Sequence, residues 1–144
     1  MVKGGRKLRS HLIKASNNKT ATVKVGFLDG STFYENGQNV PTVASFNEFG
    51  TTKSPARPFF SASVIQSENE TRRIVKKGLK KKQDNKQTLS ELGKSLQEAI
   101  QLNIVDWSEP PNAPSTVARK GFNDPLIETG KMFDSVEYKV SDGN

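Results

Sequence analysis

The stretch TLSELGKSLQEAIQLNI, residues 88–104, decides how the chain is read, because two independent helix signals meet in it. Thr88 and Glu91 have the spacing of a capping box, in which each side chain satisfies an orphan amide of the first turn. Leu89, Leu92, Leu96, Ala99, Ile100 and Ile104 then recur every three or four residues and define one apolar stripe. A helix facing a core is predicted here, starting at Thr88.

On its N-terminal side, a second main helix is predicted to start near Ser61 or Ser63. It would carry Val64, Ile65, Ile74, Val75 and Leu79 on a thin apolar stripe and end in a lysine run. Further back, Thr42 to Phe49 has the spacing of a short helix, with Gly50 as its stop and Pro55 and Pro58 barring continuation. On the C-terminal side, Trp107 to Pro125 holds four prolines and little apolar periodicity, which predicts a long ordered loop. Leu126 to Phe133 reads as a short helix containing Gly130.

Both ends of the remaining sequence alternate. Ala21, Val23, Val25 and Phe27 share one face of a strand over Thr20 to Phe27, and Val136, Tyr138 and Val140 share one face of a closing strand. The two strands are expected to pair. Between the first strand and the first helix, Asp29-Gly30 and Asn36-Gly37 mark turns of a hairpin or projecting loop. The expected fold is therefore α+β: a small antiparallel sheet packed by two main helices, with a long ordered loop. A single domain over 20–144 follows a basic arm over 1–19.

Length supports one core, since single domains run to about 100–200 residues. With 33% hydrophobic residues and a mean hydropathy of −0.65, that core is modest. The 22 Lys and Arg against 15 Asp and Glu give a net charge of +7, and the excess is local. Residues 1–24 hold seven basic side chains and no acid, while Arg72 to Lys86 holds eight and only Asp84 against them. Such fields favour acidic partners. The absence of cysteine excludes thiol chemistry and disulfides, and no apolar run approaches the roughly 18 residues of a membrane span. The basic start lacks a signal peptide's apolar stretch, so residence in the cytoplasm where it is made is expected, with no membrane partner.

No enzyme pattern survives inspection. His11 is the sole histidine, so neither a histidine metal site nor a Ser-His-Asp arrangement can be built. Gly130-Lys131 lacks the preceding glycine of a phosphate loop, whose place Pro125 takes. Glu35 with Glu48, and Asp106 with Glu109, could pair as carboxylates, but solvated surface is the simpler reading. No cofactor is implied.

The lysine run would align Arg72, Lys76 and Lys80 on one helix face, with Arg73, Lys77 and Lys81 beside it and Lys82 at the end. These residues could face DNA phosphates. The rival reading is a solvated or acid-paired face, because base-reading groups and interleaved aromatics are missing. Trp107 reads as a core anchor at the end of the main helix, the alternative being an interface hot spot.

Three stretches in order resemble the neck or tail-completion proteins of tailed bacteriophages. These are Phe46-Asn47-Glu48-Phe49-Gly50-Thr51 leading to Pro55-Ala56-Arg57-Pro58-Phe59-Phe60; Trp107 with Ala113 to Gly121; and Pro125-Leu126-Ile127-Glu128-Thr129-Gly130-Lys131-Met132 with Ser135-Val136. The resemblance implies a structural virion subunit, without catalysis, in a ring of six at the head-tail junction or tail end that lets DNA pass. Its partners would be its own copies and adjoining connector, head-closure, tail-terminator or tail-tube proteins. Genomic DNA in the channel would be a further partner. It further implies Arg57, Phe59, Arg119 and Lys120 as protein contacts, and Glu48, Phe49 and Thr129-Gly130 as residues that hold the fold. A free, non-specific nucleic-acid binder using the arm and the lysine helix is the rival function.

Overall fold

The computed structural model describes residues 20–28, 30 and 32–143. The basic arm 1–19, with His11, and Asp29 of the first turn signal lie outside the described residues. The element order is β1 (Ala21–Gly26), α1 (Val40–Phe49), α2 (Phe59–Gln66), α3 (Glu68–Lys81), α4 (Asn85–Asp106), α5 (Pro114–Lys120), α6 (Lys131–Asp134) and β2 (Glu137–Asp142). The α+β class and the pairing of first and last strands are as expected.

β1 and β2 run antiparallel, with Val23 opposite Val140 and Val25 opposite Tyr138. Alternation gives this sheet one half-buried face, and α4 lies across it. A Cβ at Gly93 would sit 2.5 Å from Tyr138 Cδ2 and 2.9 Å from Val23 Cγ2, so the helix approaches at a distance only glycine permits. Val40, Ala44, Phe59, Ile100, Ile104, Leu126, Met132 and Val136 form the core. Each large side chain buried there contributes about 1.5–3 kcal/mol against exposure. Trp107 packs against this cluster as the sequence suggested, with its Nε1 lacking a partner among the described residues.

Four local expectations are corrected. α4 begins at Asn85 instead of Thr88: Asp84 caps it by accepting from Lys86 N at 3.0 Å. Lys82, in the left-handed region at φ 50°, ends α3 just before, which leaves Asp84 in cap position. Thr88 then falls inside the helix, against Gly78 of α3, and Glu91 accepts from Gln83 instead of closing a capping box.

The helix expected from Ser61 or Ser63 to the lysines is two, α2 and α3, meeting at Ser67. Their buried positions are Phe59, Ser63, Ile74 and Gly78, while Val64, Ile65 and Leu79 are exposed. Small residues are buried because α4 lies against both helices. Inside the proline-rich loop, α5 forms with Pro114 in its first turn, where a fixed φ helps, and Gly121 at φ 82° closing it. Gly130, at φ 78°, caps α6 and is not within a helix. The projecting loop after β1 closes through a bridge between Phe33 and Asn39, whose Oδ1 also caps α1 at 3.2 Å from Thr42 N.

Candidate functional site

The segment from Phe46 to Phe60 places its charges by local geometry. Glu48, 9% exposed near the end of α1, reaches the first turn of α2. Its Oε2 accepts from Phe60 N at 2.9 Å, and its Oε1 accepts from Ser61 N at 3.1 Å and from the Ser61 hydroxyl. Pro58 at the N-cap of α2 supplies no side-chain bond, so a carboxylate from the preceding helix does the capping. Between the helices the chain turns at Gly50, φ 75°, where a Cβ would lie 2.8 Å from Ala56 N. Thr51 Oγ1 secures the turn by accepting from Ser54 N at 3.0 Å.

Arg57 ends this turn. Its amide donates to Asn47 O at 2.6 Å, its Nε to Pro110 O at 2.9 Å and its Nη2 to Pro111 O at 3.0 Å. The guanidinium thus ties the turn to the segment after Trp107. Burial pushes its pKa below the ordinary arginine value, and it forms no ion pair among the described residues.

The expectation that Phe59 acts as a surface contact is corrected, and Arg57 meets the surface only where it lines a cleft. Phe59 is 0% exposed and packs edge-to-face against Phe27, while Arg57 is 6% exposed and bonded inward. The reverse correction applies to Phe49, which is 77% exposed and so does not hold the fold. Gly130 and Thr129 keep a local role at the start of α6, where Thr129 Oγ1 accepts from Lys131 N at 3.4 Å.

Arg57, Arg119 and Lys120 do come together, around a cleft of about 750 Å³ between the 53–57 turn, α5 and the segment before α6. Lys53 and Lys131 add charge to its lining, against Glu35 and Glu128. Arg119 pairs with Glu128. Lys120 Nζ donates to Asp124 O at 2.8 Å and lies 4.8 Å over the Phe122 ring. Desolvation lowers the Lys120 pKa; Glu128 and Asp124 oppose this, and Arg119 and Arg57 reinforce it. Burial first, then Glu128, raises that of Tyr34, also in the lining. The cleft offers an anion donors and positive charge.

The lysine helix is partly neutralised. Arg72 pairs with Glu68, Arg73 with Glu70, and Lys77 with Glu91 at 3.1 Å, while Lys81 faces Glu91 electrostatically. Lys76, Lys80 and Lys82 form no ion pair among the described residues. Among the described residues no group of three or more Asp, Glu or His side chains could hold a metal, and no helix is long and apolar enough to cross a membrane.

Sequence reasoning missed the outward apolar faces. Phe46 and Phe49 stand exposed on α1, Val64 and Ile65 on α2, Leu79 on α3, and Leu102 and Val105 on α4. A signal existed for the last pair: Leu102 and Val105 fall off the stripe that carries Ile100 and Ile104 on the same helix. In comparisons with known proteins, no family model, curated protein or solved structure matches the chain.

Proposed function

We propose that the chain is a structural subunit of a tailed-bacteriophage particle, a ring-forming neck or tail-completion protein at the head-tail junction or tail end. The observation that carries this reading is the set of exposed apolar side chains on several helices: Phe46, Phe49, Val64, Ile65, Leu79, Leu102 and Val105. Each of these side chains would leave water on meeting a partner, which favours association. A ring gives each subunit two different contact faces, and repetition about an axis turns weak contacts into a firm closure. The ordered motif stretches also support the reading, because they build the turn and the cleft that join α1, α2, α5 and α6.

Lys76, Lys80 and Lys82, unneutralised among the described residues, would face the DNA channel or an acidic neighbour. The same lysines favour the second reading, a free nucleic-acid binder. In that case the isolated chain would bind DNA with steep salt dependence, as counterion release requires.

Cryo-electron microscopy of particles carrying the protein tests the first reading. Ring density fitted by this fold at the junction or tail end is expected. Particles that lack the chain altogether would overturn the reading.

A further inference from the structure

We propose that the cleft beside Arg57 receives an acidic, extended peptide segment of a neighbouring protein. This rests on the reading of the chain as a docking subunit and names what one of its surfaces takes.

Arg57 carries the argument. A guanidinium has five N–H donors, and the fold uses one at Nε and one at Nη2. Arg57 Nη1 has no hydrogen bond among the described residues and is not among the buried atoms that lack a partner, so it keeps access to solvent on a side chain that lines the cleft. Arg57 is 6% exposed and its guanidinium meets two carbonyl oxygens but no carboxylate among the described residues, so its full positive charge is left for an anion in the cleft. Lys120, on the same cleft, is desolvated as well. Asn112, also in the lining, buries an Nδ2 donor without a partner among the described residues.

The shape selects among anions. Pro55, Pro111 and Pro125 stiffen the walls, so little entropy is lost when a ligand enters. A cavity of about 750 Å³ has room for a few residues of extended chain and not for a duplex. Single-stranded nucleic acid gains its affinity from stacking, and Tyr34 is the one aromatic side chain among the described residues lining the cleft. Carboxylates suit what remains, since the planar fork of an arginine accommodates them in pairs of bonds.

The test is fluorescence anisotropy of a fluorescein-labelled hexaglutamate peptide titrated with the full chain. Saturable binding is expected, weakened by about tenfold or more in Lys53→Glu with Lys120→Glu, as loss of charges facing the ligand requires. Lys24→Glu with Lys139→Glu makes the same charge change on the exposed side of the sheet and should leave binding unchanged. Equal weakening by both pairs would mean a diffuse field and overturn the site. So would the absence of saturation, or tighter binding of a single-stranded oligonucleotide that the cleft pair abolishes. If circular dichroism shows the double variant unfolded, Lys53→Glu alone, exposed and at the rim, must still weaken binding. Peptide binding with no ring in particles would sink the ring reading and leave the site; a ring without peptide binding would sink the site alone.

Discussion

Glu48 and Arg57 turn their charges into the fold, whereas Arg72, Arg73 and the lysines of α3 hold theirs in water. The inward pair meets backbone groups. Glu48 accepts from the first amides of α2, and Arg57 donates to two proline carbonyls. Of the outward group, Arg72, Arg73 and Lys77 meet carboxylates on long, exposed side chains, Glu68, Glu70 and Glu91. Backbone partners are fixed by the fold and leave no second geometry, while exposed ion pairs form at an entropic cost and are screened by salt. Two charges in the middle of the chain should therefore outweigh a whole basic helix in stability.

The largest expected effect comes from Glu48→Ala. It removes a charged acceptor from two backbone amides and a hydroxyl near the start of α2, and charge-assisted bonds contribute about 1.5–3 kcal/mol each before overlap. A net loss of about 3 kcal/mol is expected in urea denaturation, with Glu48→Gln falling between. A loss within about 0.5 kcal/mol, the range of ordinary surface changes, would place Glu48 with α3 and erase the contrast.

Arg57→Ala should cost less, about 2 kcal/mol, because it frees two carbonyls that water can reach once the guanidinium is gone. Arg57→Lys restores the charge but not the fork, so it should recover only part of the loss. Urea midpoints of the three proteins decide this. Full recovery by lysine would mean that charge in the cleft, and not the tie to Pro110 and Pro111, holds the segment.

The same contrast explains what was legible in the sequence. Strand alternation at Val23, Val25, Tyr138 and Val140 is a local signal, and so is the stripe through Leu92, Ile100 and Ile104; both survived folding intact. Charged and aromatic residues carry no such periodicity. The partners of Arg57 lie 53 and 54 residues away, and no spacing rule marks a proline carbonyl as its acceptor. Phe59 and Phe49 have the same side chain ten positions apart, yet one is 0% and the other 77% exposed. Phe49 ends α1 and Phe59 begins α2, and between them the chain turns at Gly50, so identical side chains meet different surroundings. The cleft was legible only in fragments, as Arg57, Arg119 and Lys120, because the 53–57 turn and α5 assemble it from distant stretches.

The smallest effect is one of pH, and it should mark the outward charges. Glu91 is held below the ordinary 4.5 first by a bond from Gln83 and then by one from Lys77, and Glu70 is held below it first by a bond from Arg73. A carboxyl with a depressed value in the folded state binds fewer protons there than in the unfolded chain. Its contribution is therefore complete above about 4.5 and disappears as pH falls through the depressed values. Both groups are exposed, so the drop in urea midpoint across that window should be shallow and should shrink further in high salt. Glu70→Gln with Glu91→Gln should flatten it while leaving the midpoint near neutral pH only slightly lower. If the double variant keeps the full acid-dependent drop, Glu70 and Glu91 are not its source, and their pairs with Arg73 and Lys77 add nothing to a helix whose buried anchors are Ile74 and the close contact of Gly78 with Thr88.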